Sequence, residues 1–269
     1  MLAYSPLQPS ALQSERMDAH FRYREFPPGK SLEPYVACYW TIDADATDQP
    51  YLHRIIPDGC ADIIFDLRAR SFSTGAFVAG LMTAFAAMNL ESRYSLFGIR
   101  FYSENVRRFF IYPVSELTGY HVLLEDIWGK EAGAIAEQVI SADGTSEMIE
   151  RVESFLSKAL LQNETNSDQL LQSSMQYIYA SQGMMPIRDL AEQLCYSERN
   201  IRRTFQKELG VSPKELSGII RFQCLLQELY HGAPSRFTDI AVKYGYFDQS
   251  HLINSFKRFY GLAPGQVFR

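Results

Sequence analysis

The last eighty residues of the chain carry one apolar pattern twice. Four residues of the first copy recur as the same kind fifty positions later, in the pairs Leu190/Ile240, Ala191/Ala241, Leu194/Tyr244 and Tyr196/Tyr246. After the turn the offset becomes fifty-one, in the pairs Ile201/Leu252, Phe205/Phe256, Gly210/Gly261 and Pro213/Pro264. Helical spacing that is broken by one tight turn and ends in a glycine predicts a helix-turn-helix in each copy.

The second helix of the first copy is predicted over residues 198–209, after Ser197 as its N-cap. Its apolar side is predicted to be buried, and its opposite side is polar and rich in arginine. Arginine and asparagine side chains read guanine and adenine edges in the major groove of DNA. We therefore predict DNA contacts at Arg199, Asn200, Arg202, Arg203 and Gln206. The alternative is a cationic face that only contacts solvent.

The second helix of the second copy is predicted over residues 249–259, after Asp248 as its N-cap. Its candidate DNA-binding residues are Gln249, Ser250, His251, Asn254, Lys257 and Arg258. Because no arginine stands at its front, we expect this helix to position the protein on DNA more than to discriminate bases. His251 is interpreted as a polar neighbour of the backbone rather than a metal ligand.

A long helix is predicted between the two copies. The run Ser212-Pro213-Lys214-Glu215 is a capping box with proline at the first helical position, and the apolar spacing continues to near Gly232. Such a helix would hold the two units at a fixed separation. That matters because neighbouring major grooves on one side of DNA lie about 34 Å apart.

Charge is divided unevenly along the chain. Residues 170–269 hold twelve Lys or Arg and eight Asp or Glu, a net charge of +4, whereas residues 1–169 carry −9 of the total of −5. A basic end beside an acidic front is typical of a DNA-binding domain joined to a regulatory domain.

The predicted fold class is α+β, with two domains. Residues 1–20 are interpreted as a flexible or loosely packed arm, residues 21–161 as an effector or dimerisation domain, 162–169 as a linker and 170–269 as the DNA-binding domain. Strands are predicted at 36–42, 62–67, 75–81 and 94–101, which suggests a small barrel or sandwich, and the β-barrel is the predicted architecture. Helices that flank it are predicted at 125–140 and 145–161, and a helix over 169–181 opens the second domain.

The carboxyl-terminal stretch resembles the AraC/XylS family of bacterial transcription regulators. The resemblance lies in IRDLAEQLCYSERNIRRTFQKELGVSPKE and FTDIAVKYGYFDQSHLINSFKRFYGLAPGQ, within Met175 to Arg269. It implies a DNA-binding domain of seven helices, control of transcription (usually activation) and RNA polymerase as a partner. Mapped onto this sequence, the base-reading positions of the family are Arg199, Arg202 and Arg203, then Ser250 and Asn254. The family usually carries an effector or dimerisation domain in front, often a cupin-like barrel.

Aromatic side chains along the predicted strands could enclose a small apolar or planar effector. The candidate ligand-binding residues are Trp40, Arg54, Phe65, Phe97 and Arg100, with the two arginines meeting an anionic group; the alternative is that the aromatic residues only fill the core. A metal site or an acid–base group is another possible interpretation, and its residues would be His53, Asp58, Cys60 and Asp62. A turn at Pro57-Asp58-Gly59 is the favoured reading, so no catalytic residue, metal or cofactor is predicted.

The predicted function is a cytoplasmic, sequence-specific regulator of transcription that binds double-stranded DNA as a homodimer and responds to a small molecule. No apolar stretch is long enough to span a membrane, no signal peptide is recognised, and four scattered cysteines indicate reduced thiols. Two alternatives stay open. One is a regulator gated by a protein partner or by oxidation at Cys60 or Cys195, and the other is a cupin-type enzyme fused to a DNA-binding domain.

Overall fold

The computed structural model describes residues 4–9, 21–45, 51–90, 93–110, 112–117, 121–162, 168–231 and 237–268. A part rich in β-strands precedes an all-helical part, as the predicted α+β class requires. Residues 163–167, at the centre of the predicted linker, lie outside the described ranges. The domain boundaries therefore stay predictions.

Eight strands are described in the amino-terminal part: β1 Phe21–Phe26, β2 Val36–Ala44, β3 Tyr51–Ile55, β4 Cys60–Asp66, β5 Ala76–Ala79, β6 Ala86–Leu90, β7 Tyr94–Tyr102 and β8 His121–Leu123. Six of them form an antiparallel sheet in the order β1-β2-β7-β4-β5-β8, and β3 pairs with β6 as a second sheet. Among the described residues no pairing joins β1 to β8. The closed barrel stays a prediction.

The four predicted strands correspond to β2, β4, β5 and β7, with shifts at their ends. Strands β1, β3, β6 and β8 were not predicted. In β1 the sequence FRYREF mixes aromatic and charged side chains, and three of its six residues carry charge. Charged residues are common on edge strands, where they oppose pairing with other chains, but they weaken the strand signal in the sequence.

Three helices follow the strands: α1 Leu124–Trp128, α2 Lys130–Ile140 and α3 Thr145–Gln162. The sequence predicts one helix over 125–140, but Gly129 divides it with a φ of +56°. Glycine adopts this conformation without the steric cost that a side chain would bring. Trp128 at the end of α1 then packs against Phe155 of α3, with ring centroids 4.8 Å apart.

The main sheet is covered on both faces. Alternate side chains of a strand point to opposite faces. Tyr39, Ile63, Phe65, Phe97 and Ile99 belong to one face and are buried in a core that they share with apolar residues of α1, α2 and α3. The neighbouring positions on these strands point to the other face, toward β3.

Seven helices are described in the carboxyl-terminal part: α4 Gln169–Ala180, α5 Ile187–Leu194, α6 Glu198–Leu209, α7 Pro213–Tyr230, α8 Phe237–Lys243, α9 Gln249–Tyr260 and α10 Pro264–Val267. Seven is the number that the family resemblance implies. The supporting helix of the first unit is predicted over 187–194 and the second helix over 198–209, and α5 and α6 have these bounds. The other predicted helices end within two residues of the prediction. Helix α10 was not predicted. No helix in the described ranges is long and apolar enough to cross a membrane.

Residues 4–9 pack onto the fold, so the prediction of a flexible arm is wrong for them. Tyr4 is buried, stacks on Tyr179 with centroids 4.8 Å apart and donates a hydrogen bond to the Asp58 carbonyl at 2.7 Å. The Gln8 amide donates to the Asp58 carboxylate at 2.8 Å. These partners stand about fifty or more positions away in the sequence, and a local pattern does not reveal them. Residues 1–3 and 10–20 lie outside the described ranges.

Candidate DNA-binding surface and ligand cavity

The first helix-turn-helix consists of α5, a turn at residues 195–197, and α6. Cys195 ends α5 in the left-handed conformation with a φ of +57°, and the Ser197 hydroxyl accepts a hydrogen bond from the Asn200 N–H at 3.2 Å. The inner side of α6 is fully buried at Ile201, Phe205 and Leu209. Burial of this apolar stripe fixes which side of α6 faces solvent.

The outer side of α6 carries the predicted DNA contacts. Arg199, Arg202, Arg203 and Gln206 are exposed, and Asn200 is half-buried. The Arg202 guanidinium lies 2.6 Å from the Glu198 carboxylate one helical turn earlier, which holds the side chain along the helix. Gln206 donates to the Gly210 carbonyl at 3.3 Å and helps to close the end of the helix. The arginines therefore form the accessible front of this surface.

The second helix-turn-helix consists of α8, a turn at residues 244–248, and α9. Asp248 caps α9 by accepting a hydrogen bond from the His251 N–H at 2.7 Å. Leu252, Phe256 and Phe259 are buried on the inner side. The six predicted DNA-binding residues of this copy are all exposed: Gln249, Ser250, His251, Asn254, Lys257 and Arg258.

Two of these six side chains already have partners within the chain. His251 accepts a hydrogen bond from the Phe247 N–H through Nδ1 at 3.4 Å, in agreement with its interpretation as a neighbour of the backbone. The Arg258 guanidinium lies 2.5 Å from the Glu215 carboxylate at the start of α7. Arg258 therefore ties the second unit to α7, and Lys257 is the better candidate for a phosphate contact.

Helix α7 joins the two units as predicted. It begins at Pro213, and the Ser212 hydroxyl caps it by accepting from the Glu215 N–H at 3.1 Å. Phe222, at the middle of α7, is fully buried and packs against Phe256 and Phe259 of α9, each with centroids 5.2 Å apart. These contacts fix α9, which together with α6 forms the pair of candidate reading helices, to α7.

A cavity of about 130 Å³ lies between the main sheet and β3. Its walls are mostly apolar and aromatic, and they include Tyr23, Trp40, Ile64, Phe77, Tyr94 and Leu96. The buried indole N–H of Trp40 interacts with the Asp62 carboxylate and lowers the pKa of that carboxyl, but it forms no hydrogen bond of ordinary geometry among the described residues. This size is close to that of a cavity of about 150 Å³ that binds benzene in another protein.

Arg100 lies at the polar end of the cavity, surrounded by three carboxylates. Its Nε atom is 3.1 Å from Asp58 and 3.3 Å from Asp62, and its Nη1 atom is 3.4 Å from Glu25. Arg100 itself is almost completely buried. Burial raises the pKa of Asp62 to about 6, against the opposing effect of Arg100.

The structure places two of the five predicted ligand-binding residues at the cavity and three away from it. Trp40 and Arg100 line the cavity, but Phe65, Phe97 and Arg54 are not among its lining residues. Phe65 and Phe97 are completely buried in the core on the opposite face of the sheet. Because both faces of this sheet are apolar, alternation alone does not tell which one borders the cavity. Arg100 is also no free cation for an anionic group, since three carboxylates already surround it.

His53, Asp58, Cys60 and Asp62 all line the cavity. The predicted turn is present, because the Asp58 carboxylate accepts a hydrogen bond from the Cys60 N–H at 3.0 Å. Within the described ranges no group of three or more His, Cys, Asp and Glu side chains is placed to hold a metal ion. Burial lowers the pKa of His53 to about 4 and raises the pKa of Cys60, which makes the Cys60 thiol a poor nucleophile at neutral pH.

Helix α7 also contacts the turn at the floor of the cavity, through a residue that the sequence did not reveal. Gln223 is fully buried and donates to the carbonyl groups of Pro57 at 2.8 Å and Leu7 at 3.2 Å. Its amide oxygen accepts from the Leu7 N–H at 2.8 Å. The position of this glutamine within an apolar helical stripe indicates that it is buried, but it does not indicate which groups bind its amide. In the structure these groups belong to the amino-terminal part of the chain.

The amino-terminal part also contacts the far ends of both reading helices. At α6 the buried Glu208 pairs with Arg107 at 3.6 Å, and the Ser115 hydroxyl donates to the Lys207 carbonyl at 2.6 Å. At α9 the Phe85 N–H donates to the Arg258 carbonyl at 3.3 Å, and the Phe85 ring lies against Gly261. Both contacts leave the amino-terminal fronts of α6 and α9 exposed.

Two domain families match separate parts of the chain. Residues 24–123 match a domain of unknown function (DUF6597), and residues 190–269 match a helix-turn-helix domain. The second match covers both reading helices. None of the curated proteins compared matches the chain.

Among solved structures the chain is similar to ToxT from Vibrio cholerae. The 1.65 Å structure of ToxT has 14% sequence identity and a TM-score of 0.44, and the match covers 93% of this chain and 98% of ToxT. A structure of wild-type ToxT with a bound unsaturated fatty acid, from strain SCE256, has 13% identity and a TM-score of 0.42, over 93% and 95% of the two chains.

Proposed function

We propose, from the premise that this chain carries an AraC-type helix-turn-helix domain over residues 190–269, that it is a sequence-specific DNA-binding regulator of transcription. One observation carries the proposal: in both units the apolar side of the second helix is buried and the polar front is exposed. An exposed front that carries Arg199, Arg202 and Arg203 suits direct reading of bases in a major groove. The second front, with Ser250 and Asn254, suits a neighbouring groove.

The proposal includes several finer roles that follow from the family resemblance. They are activation of transcription through RNA polymerase, function as a homodimer and a cytoplasmic location. A dimer would place four reading helices on one operator and double the number of bases that are read. No catalytic role is included.

The proposal further makes the cavity of the amino-terminal part the site of a small-molecule effector. The segment of residues 80–85 links this cavity to the second helix-turn-helix unit. Gly80 and Met82 line the cavity, and Phe85 contacts α9 and Gly261. A ligand that displaces Met82 would move a segment that touches the second reading helix, which gives the two sites a physical route for coupling.

Selection of binding sites from random double-stranded DNA, followed by affinity measurements, tests the DNA-binding proposal. We expect a footprint over two successive major grooves for each subunit. Arg202→Ala should weaken binding to the selected site by about 1–3 kcal/mol and relax the preference at one base pair. Lys257→Ala should weaken binding to all DNA sequences alike. It should also lower, by about 1, the slope of log affinity against log salt concentration.

Arg188→Ala is the matched control for Arg202→Ala. Arg188 is an exposed arginine paired with Glu192 one turn away at 3.1 Å, but it lies on the supporting helix α5. Its loss removes the same kind of ion pair and should leave every base preference unchanged. If Arg202→Ala and Arg188→Ala both weaken binding to all DNA sequences by the same factor, the assignment of base reading to α6 is wrong.

Hydrogen exchange tests the contact between Phe85 and the second reading helix. Phe85→Ala removes the ring that covers Gly261, so we expect faster amide exchange at the carboxyl-terminal end of α9. The measurement is exchange followed by mass spectrometry on the full chain. Phe72→Ala, which removes another partly exposed phenylalanine from the amino-terminal part, should leave α9 unchanged. Equal exchange of α9 in both variants and the wild type would contradict the proposed connection.

A further inference from the structure

We propose that the cavity between the main sheet and β3 takes an organic cation with a ring-sized apolar body. The inference rests on the proposed function, because it names the chemical class of the effector for the same cavity. Two observations carry it: the excess of carboxylates around Arg100 and the aromatic walls of the cavity.

Carboxylates outnumber cations at the polar end of the cavity. Asp58, Asp62 and Glu25 all lie within 3.4 Å of the Arg100 guanidinium, so three acidic groups share one basic group. The Arg100 guanidinium also contacts the Tyr23 hydroxyl at 3.5 Å, which leaves little of it for a ligand. A second cation would offset the remaining negative charge, whereas a carboxylate ligand would add to it.

The other walls of the cavity are aromatic and aliphatic. Aliphatic side chains can contact the apolar body of such a ligand, and aromatic rings can contact both this body and the cationic group. Tyr23 and Trp40 lie with ring centroids 6.4 Å apart, and Phe77 and Tyr94 also border the space. Aromatic faces attract ammonium groups when these lie within about 6 Å of the ring. The apolar body would displace water from Ile64 and Leu96 on the same face.

The Trp40 N–H adds a polar group to the cavity wall. The residue is only 4% exposed and lines the cavity. Its N–H interacts with the Asp62 carboxylate and lowers the pKa of that carboxyl, but it forms no hydrogen bond of ordinary geometry among the described residues. Buried donors in folded proteins are normally hydrogen-bonded. An oxygen atom on the ligand would give this donor a better-placed acceptor, so an amine that also carries a hydroxyl or carbonyl group suits the cavity.

Binding of a cation should depend on pH through Asp62. The charged and titratable groups around Asp62 and in the cavity wall are Arg100, Asp58, Glu25, Tyr23, Cys38, Cys60, His53, Tyr94 and His121. The pKa of Asp62 in the free protein is about 6, and a bound cation favours the ionised carboxylate. Affinity for a cation should therefore rise as the pH increases from about 5 to about 7 and level off above, because protonation of Asp62 no longer competes.

Three probes of similar size separate the ligand classes: 2-phenylethylammonium, 2-phenylethanol and 3-phenylpropanoate. Their binding to the full chain is measured by isothermal titration calorimetry at pH 7.5. We expect the ammonium probe to bind at least about tenfold more tightly than the other two, since one charge pair in a partly buried site supports such a difference. Asp62→Asn should remove most of this advantage and its pH dependence, with little effect on the alcohol.

Asp66→Asn is the matched control, because Asp66 lies on the same strand but does not line the cavity. It should bind all three probes like the wild type. Asp58→Asn, at the other carboxylate that lines the cavity, repeats the test if Asp62→Asn fails to fold. Tighter binding of the carboxylate or the alcohol would overturn the cation class and leave the cavity as an effector site. Failure of all three probes, with selective DNA binding intact, would overturn both the cation class and the effector role.

Discussion

Replacing Gly183 with alanine is expected to destabilise the helical part by roughly 2–6 kcal/mol, the sum of overpacking and backbone strain. Gly183 has a φ of +70°, and an added Cβ would lie 2.1 Å from the Ser217 carbonyl oxygen and 2.9 Å from the Arg221 nitrogen. Both are backbone atoms of α7 and have little room to move. The measurement is the free energy of unfolding from denaturant titration.

The contact at Gly183 also holds α7 in place from the side of α4 and α5. Arg221 donates two hydrogen bonds to the Gly183 carbonyl, at 3.0 and 3.3 Å. Separation of these elements would release the helix that joins the two reading units. We therefore expect Gly183→Ala to weaken binding to the selected DNA as well.

Gly218→Ala is the matched control for this prediction. Gly218 lies within α7, and nothing would lie within 4 Å of its added Cβ. Alanine in a helix interior is favoured over glycine, so this change should stabilise the protein by about 0.5–1 kcal/mol. Equal free energies of unfolding for the two variants would contradict the predicted clash between an alanine at position 183 and α7.

Gly98→Ala is expected to close the ligand cavity. Gly98 pairs with Trp40 across the sheet, and an added Cβ would lie 2.0 Å from Cε2 of the indole. The indole would have to move, and the open space beside it is the cavity that it lines. Affinity for 2-phenylethylammonium should fall by at least about tenfold, which corresponds to about 1.4 kcal/mol.

Calorimetry with the ammonium probe measures the loss, and tryptophan fluorescence reports the movement of Trp40. Gly133→Ala is the control, because Gly133 lies in α2 and its added Cβ would meet nothing within 4 Å. It should bind the probe like the wild type. Full affinity in Gly98→Ala would mean that the probe binds elsewhere on the protein.

Helix bounds in the DNA-binding part were predictable because their signals are local. Ser197, Ser212 and Asp248 each cap a helix through a hydrogen bond to an N–H three residues ahead. The apolar stripes of α6 and α9 also leave only one possible outer side. The repeat therefore predicted which side chains are exposed, Arg199 and Arg203 among them.

The cavity was predictable only in part. In the main sheet both sets of alternating side chains are apolar, so Phe65 and Ile64 gave the same signal although only Ile64 lines the cavity. The charge of Arg100 likewise suggested an anionic ligand. Its three carboxylate neighbours lie on other strands or turns, and a single sequence does not show which of them meet.

The sequence by itself determined that the chain ends in two helix-turn-helix units, because helical periodicity and capping depend on residues a few positions apart. Only the tertiary structure decided which face of the sheet borders the cavity, and that Gln223 and Phe85 connect this part of the chain to the DNA-binding units. Those arrangements depend on contacts between residues far apart in the chain. Packing of the whole fold selects such contacts, and no local pattern encodes them.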